Sequence, residues 1–329
     1  MFWLILFSSV FVFGLAILAK TFASKTAKLD GRHVVITGGS SGIGKSMAIQ
    51  AAQMGASVTI MARNKEKLDE ARTEIQGHLK ANMKVETISV DLSTSYDAVK
   101  SAMQQAEGKC GPVFMLVNSA GSSVSEAFVD LKPADFPKMM EMNYYSAVYA
   151  TKAVVDSMVG QQAGRIVFLS SQAGQIGLFG FTAYSGAKFA LRGMAEALQM
   201  ELRPHNIFVT VSFPPDTDTP GFQKELQAGK PKETVLISET AGLFKADEVA
   251  RTILTDSLHG KFMSYVGLDG WMLASITAGM SQASSLVEVI TQVLLMGILR
   301  LVGLFYLSSF DKIVLRCKQE KDAGKQKSS

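Results

Sequence analysis

Tyr184-Ser185-Gly186-Ala187-Lys188 sets a phenol and an ammonium four residues apart. On a helix, that spacing puts both side chains on one face. A free phenol ionises near pH ~10, and a neighbouring cation favours the ionised form, so such a pair can exchange a proton near neutrality. The spacing alone is cheap. Tyr96 and Lys100 repeat it, but Met83 stands thirteen residues upstream, and the pair reads as a solvated helix face. Tyr184 has Ser171 thirteen residues before it, at the end of a strand-like run. Ligands bind at the carboxyl ends of parallel strands, which puts Ser171 where a ligand would lie. Ser170 is the weaker candidate and reads more simply as a buried strand-end hydroxyl bonded to backbone.

A second group of residues suits a phosphate. Thr37-Gly38-Gly39-Ser40-Ser41-Gly42-Ile43-Gly44 follows an apolar strand-like run and opens a helical segment. Glycines let the backbone approach a ligand closely, and a helix start offers unpaired N–H groups to a pyrophosphate. Ser40 and Ser41 add hydroxyl donors. In an NAD site an acid is expected about 20 residues further on. Here Met61-Ala62-Arg63 ends the next strand without an acid, and Lys67 follows one helical turn later. Cations there favour a 2′-phosphate, hence NADPH over NADH.

These groups need a scaffold that brings strand ends together. Strand-like runs lie at Val34–Thr37, Ser57–Ala62, Val85–Val90, Val113–Asn118, Arg165–Ser170, Ile207–Phe213 and Phe262–Val266. Several are continuously apolar, as expected of strands buried on both faces. Amphipathic segments such as Lys65–Leu79 and Tyr96–Glu107 separate them. The alternation predicts an α/β fold, a doubly wound parallel sheet of about seven strands, over residues 31–270.

The 329-residue chain is 47% hydrophobic and 19% charged, which excludes bulk disorder. A net charge of +4, dispersed along the chain, gives no case for nucleic acid. Two distant cysteines and four scattered histidines show no disulfide or metal-ligand spacing.

The apolar excess sits at the ends. Met1–Ala19 carries no charge, and Lys20, Lys25 and Lys28 follow it. Residues 1–24 thus read as a transmembrane anchor or a signal segment, with the next domain cytosolic by the positive-inside rule. Residues 271–310 read as membrane-associated helices: two short passes, or none, as in a re-entrant or interfacial hairpin. An oligomer interface or a buried core helix is the plainer reading, and Arg300 fits either, as a snorkelling or paired charge or at a turn between passes. Residues 311–329 read as a basic cytosolic tail, whose Lys325 and Lys327 resemble a dilysine retrieval signal.

Together, Thr37–Gly44, Asn118-Ser119-Ala120-Gly121, Asn143, Ser171 and Tyr184…Lys188 resemble the motif set of the short-chain dehydrogenase/reductase family. Ser119 stands where that family's motif has a second Asn. The resemblance implies a Rossmann fold and assigns roles. Tyr184 donates the proton, Lys188 lowers its pKa and binds the nicotinamide ribose, and Ser171 holds the substrate oxygen. Asn143 anchors a relay water. Gly38, Ser40, Ser41, Gly42, Ile43 and Gly44 hold phosphate, and Arg63 and Lys67 hold the 2′-phosphate. Asp91 with Leu92 meets the adenine, and Asn118 the adenine ribose region.

Residues 170–181 and 213–222 further resemble members that reduce the C3 ketone of a long-chain sphingoid base with NADPH at the endoplasmic reticulum. On that resemblance Leu178, Phe179 and Phe181 wall an acyl channel, and Thr219–Lys245 forms a lid carrying Phe222 and Leu226. Asp216 and Asp218 are candidates for the substrate ammonium. A steroid, retinoid or other lipid carbonyl is the alternative substrate, and a non-catalytic NADP-binding scaffold the alternative class.

Overall fold

A computed structural model describes residues 26–239 and 242–328. The stretch Met1–Ala19, expected to anchor or target the chain, lies outside the described residues. The strands are β1 (His33–Thr37), β2 (Ser57–Ala62), β3 (Val85–Ser89), β4 (Val113–Asn118), β5 (Gly164–Leu169), β6 (Ile207–Phe213), β7 (Thr217–Asp218), β8 (Phe244–Lys245) and β9 (Met263–Tyr265). The helices are α1 (Gly42–Gln53), α2 (Lys65–Gln76), α3 (Tyr96–Cys110), α4 (Asp135–Met140), α5 (Ser146–Gln161), α6 (Thr182–Leu202), α7 (Pro220–Gln227), α8 (Lys232–Ser238), α9 (Ala246–Leu258), α10 (Gly267–Ile276) and α11 (Leu286–Ser328).

Seven strands form one parallel sheet in the order β3-β2-β1-β4-β5-β6-β9, as the alternation predicted. Both of its faces are covered. Val34 and Ile36 of β1 pack with α1, α2 and α9 on one side, while Val35 packs with α3, α5 and α6 on the other. This two-sided burial explains why the strands read as unbroken apolar runs. The order reverses between β1 and β4, and a reversal opens a crevice at the carboxyl ends of the strands. Thr37 clasps the two ends there. Its Oγ1 accepts from the N–H groups of Ser119 (3.1 Å) and Ala120 (3.3 Å) and donates to the Val117 carbonyl (3.3 Å).

Strand β5 ends at Leu169, one residue earlier than expected, so Ser170 and Ser171 both lie past the sheet. The expected lid is a folded excursion bracketed by the β7–β8 pair. Within it, the Thr219 hydroxyl caps α7 by accepting from the Phe222 N–H at 3.1 Å, and Pro220 starts that helix.

The C-terminal region departs from expectation in one respect. Arg300 marks no turn but sits inside α11, a continuous helix of 43 residues, and residues 311–328 prolong it rather than forming a separate tail. α10 lies antiparallel on α11, for Tyr306 reaches Asp269 while Gly303 abuts Ile276. One stripe of α11 touches the catalytic domain along its length. Ser284, just before the helix, accepts from the Phe262 N–H through its hydroxyl at 2.7 Å, Leu299 and Cys317 are buried, and Lys321 pairs with Glu233 at 2.7 Å. The opposite stripe, Leu294, Ile298, Leu301 and Phe305, is exposed. Leu286–Gly324 is long and apolar enough to cross a membrane, with a mean hydropathy of 1.9 over a window that is 6% buried.

Candidate active site

A crevice of about 830 Å³ opens over the β1–β4 reversal, and its lining contains most of the residues singled out in the sequence. The glycine turn forms its floor. A Cβ on Gly38, where φ is +68°, would stand 2.8 Å from the Ala120 nitrogen, and one on Gly44 would stand 2.6 Å from the Gly38 carbonyl. Neither position admits a side chain without moving backbone. Ser41 occupies the N-cap of α1 yet makes no capping hydrogen bond. Its hydroxyl and the first amides of the helix are therefore free to meet an anion. Ser40, Gly42 and Ile43 line the same edge.

Arg63 and Lys67 border the crevice at the start of α2, whose cap is the Asn64 side chain accepting from the Lys67 N–H at 2.8 Å. Asp91 and Leu92 stand opposite. Arg63 approaches Asp91 at 4.0 Å. Burial pushes the Asp91 carboxyl up, but the Ser93 hydroxyl and N–H together with Arg63 outweigh it and hold it below the usual carboxylate range. Asn118 corrects an expectation. It does not line the crevice: it is buried, and its Nδ2 donates to Thr151 Oγ1 at 3.1 Å across the β4–α5 packing. The Nδ2 of this side chain, at the end of β4, is committed to α5.

Ser171, Tyr184, Lys188 and Asn143 converge in the crevice. Tyr184 and Lys188 share the first turns of α6, with Lys188 Nζ 5.5 Å from the Tyr184 ring centre. Lys188 is buried, and its Nζ donates to the Leu169 carbonyl at 2.8 Å. The two serines separate cleanly. Ser170 Oγ donates to the Lys188 carbonyl at 2.9 Å and is committed to structure. Ser171 Oγ accepts from the Ala173 N–H at 3.2 Å and stands beside the Tyr184 phenol, whose pKa it lowers. Asn143 sits in a π-helical turn, Glu141–Tyr145, between α4 and α5. Its Nδ2 donates to the carbonyls of Ser122 (2.9 Å) and Met139 (3.0 Å), while its buried Oδ1 has no partner among the described residues.

Burial governs the electrostatics. It pushes Lys188 down to about 8. It also pushes the Tyr184 phenol well above its ordinary value; Ser171 opposes the shift, and Glu225 and Asp216 add to it. Desolvation dominates, so the phenol stands above its ordinary value in this structure, where the expectation was a lowered one.

The outer walls are apolar. Leu178, Phe181, Phe222, Ile276, Tyr306 and Phe310 line the crevice. Phe179 and Leu226 do not: Phe179 offers its carbonyl to the Thr234 hydroxyl at 2.8 Å, and Leu226 is 39% exposed. Asp216 faces the crevice, whereas Asp218 is exposed and accepts from Gln223 at 3.2 Å. Sequence reasoning missed Ser123 and Glu225 in the lining, and Lys230 behind it. Isolated loop residues carry no periodic or motif signal.

A comparison with family models matches residues 32–230 to the short chain dehydrogenase model. The chain is 51% identical over 312 residues to the 3-ketodihydrosphingosine reductase of Bos taurus, covering 94% of each. It is 49% identical over 320 residues to the 3-dehydrosphinganine reductase of Danio rerio, covering 97% of this chain and 96% of that one. Among solved structures, levodione reductase superposes with a TM-score of 0.65 at 20% identity, over 70% of this chain and 92% of that one. With a matched model spanning β1 to the α7–α8 loop and relatives matched over nearly their full length, the chain belongs to the short-chain dehydrogenase/reductase family.

Proposed function

We propose that the chain is an NADPH-dependent reductase of 3-ketosphinganine, converting its C3 ketone to the alcohol of sphinganine. The observation that carries the reading is a single crevice that joins the glycine turn, the Ser171–Tyr184 pair and the apolar wall of α10 and α11. The names of the relatives support the substrate.

The residues fit a dinucleotide. The turn at Gly38 and Gly44 admits no side chain and so lines the crevice with backbone, Ser41 makes no capping bond with its hydroxyl, and Arg63 with Lys67 supplies cations where a 2′-phosphate would lie. A bound nicotinamide supplies the hydride. Ser171 Oγ orients the substrate's carbonyl oxygen, and Tyr184, kept as a phenol by burial, gives that oxygen its proton. Lys188 stabilises the phenolate that develops, and Asn143 Oδ1 is the acceptor for a water that returns the proton through Lys188. Leu178, Phe222, Ile276 and Phe310 flank the path of an alkyl chain.

Membrane contact belongs to the same reading. The chain is tied to the catalytic domain at Ser284, just before α11, and again at Lys321 near its far end, so the two ends do not lie on opposite sides of a bilayer, and the exposed stripe is the face offered to lipid. The basic residues Lys20, Lys25 and Lys28 support a cytosolic catalytic domain at the endoplasmic reticulum. NADPH oxidation by the purified full chain tests the reading. It should appear on adding 3-ketosphinganine and vanish in Tyr184→Phe while NADPH binding survives; full activity in that variant refutes it.

A further inference from the structure

Three charged side chains meet beside the Tyr184–Phe181 ring pair. Lys230 Nζ lies 2.9 Å from Glu225 Oε1 and 3.5 Å from Asp216 Oδ2, and its side chain is only 1% exposed. It sits between the rings of Phe181 (5.3 Å) and Phe222 (5.4 Å), and Phe181 is 5.3 Å from the Tyr184 ring. Two carboxylates share one ammonium, so one negative charge is left over. Both carboxylates line the crevice and Lys230 does not, so the excess charge faces the ligand space. Neither contact of Lys230 has hydrogen-bond geometry, so the ammonium holds the carboxylates by charge alone. An unmatched charge in a secluded site is costly until a counter-charge arrives.

Glu225 is also held in register with the reacting groups. Its Oε2 accepts from the Ser123 hydroxyl. Ser123 adjoins Ser122, whose carbonyl binds Asn143 Nδ2 at 2.9 Å, and Gly121, where Lys188 and Asn143 approach. One short segment therefore spaces Glu225 from the proton relay.

We propose that Glu225, with Asp216 and the buried Lys230, forms an ammonium subsite that receives a primary amine on the carbon adjacent to the reacting ketone. The assignment rests on the proposed reductase reading, in which the substrate is such an α-amino ketone. With the carbonyl seated between Ser171 and Tyr184, the neighbouring ammonium meets the uncompensated charge, and a plain long-chain ketone leaves it unpaired. The same ammonium offsets the two carboxylates that push the Tyr184 phenol up.

The test uses the full chain with NADPH and two ketones of equal chain length, 3-ketosphinganine and its analogue lacking the amine. In wild type, kcat/KM should favour the amine, chiefly through KM. In Glu225→Gln, which keeps the shape and the Ser123 contact, that preference should shrink about tenfold or more. Asp216→Asn should shrink it less and guards against misfolding of the first variant. Loss of both ketones by the same factor, or an unchanged preference in both variants, overturns the subsite. Equilibrium binding of sphinganine and its desamino analogue to the NADPH-loaded protein separates the two readings. If neither ketone turns over but Glu225→Gln abolishes a binding preference for the amine, the reductase reading falls and the subsite stands. Absence of that preference in wild type removes the subsite alone.

Discussion

Asn143 Oδ1 and Lys188 Nζ converge on one point above Gly121: a Cβ there would lie 2.5 Å from the first and 3.6 Å from the second. The amide oxygen is buried without a partner among the described residues, and the ammonium spends one proton on the Leu169 carbonyl and has two left. An acceptor and a donor thus face each other across a space kept open by a missing side chain. Gly121→Ala should displace Asn143, which its two other hydrogen bonds hold in place, and lower kcat on the order of a hundredfold. Gly121 has no left-handed φ to strain, but displacing Asn143 breaks its bonds to the Ser122 and Met139 carbonyls, so the melting temperature should fall as well. Steady-state rates and a thermal melt, measured together, check both outcomes.

The adjacent serines should split function from stability. Ser170→Ala removes the bond to the Lys188 carbonyl and should cost about 1 kcal/mol of stability with kcat nearly unchanged. Ser171→Ala removes the hydroxyl beside the Tyr184 phenol and should lower kcat by about 10²-fold with little change in stability. Equal kinetic losses in the two variants would contradict the geometry.

Lys188 makes a pH-dependent prediction. Its folded pKa, about 8, lies below the ordinary lysine value, so the folded chain binds this proton more weakly than the unfolded chain does. The buried charge therefore destabilises the fold at neutral pH, and that penalty fades as pH rises from about 8 toward about 10.4, the unperturbed lysine value. Lys188→Met keeps the apolar stem and removes the charge. It should abolish turnover yet melt no lower than wild type at pH 7, and any advantage should shrink as pH rises. In wild type, kcat/KM should decline above about pH 8 as the ammonium is lost. Thermal melts of both proteins across this range measure it.

Arg63 stands 64% exposed at the crevice rim, 4.0 Å from Asp91. Arg63→Asp places two acids where a 2′-phosphate would lie. The kcat/KM ratio of NADPH to NADH should fall on the order of a hundredfold, and this ratio in wild type should weaken with salt. An unchanged ratio would remove Arg63 from the cofactor site.

Legibility in the sequence followed local physics. The sheet was readable because each strand is buried on both faces, which forces continuous apolar runs. The glycine turn and the Tyr184–Lys188 spacing were readable because each requires fixed residue types at fixed offsets. Asn118 misled because strand-end position does not say which way a side chain turns. Glu225 and Lys230 were hidden because their meeting depends on how α7 and the following loop fold back. The direction of the Tyr184 shift was hidden because it depends on burial, which spacing does not encode. The straight passage of α11 through Arg300 was hidden because a single charge on a solvent-facing helical position carries no turn signal.

The stripes of α11 permit a geometric test of how it meets lipid. Leu294 and Phe305 lie on the exposed face, 68% and 70% accessible. They are eleven positions apart, about 16 Å along a helix axis. A helix crossing a bilayer would place them at depths differing by most of that distance. A helix fixed to the domain just before its start, at Ser284, and again at Lys321 lies along the surface and places them at nearly equal depth. Environment-sensitive labels on Leu294→Cys and Phe305→Cys, quenched by lipids brominated at graded acyl positions, should report the same shallow depth in vesicles. A difference of about 10 Å or more between the two labels would mean that α11 leaves the domain to span the membrane, and with it the lipid-facing role of the exposed stripe would have to be redrawn.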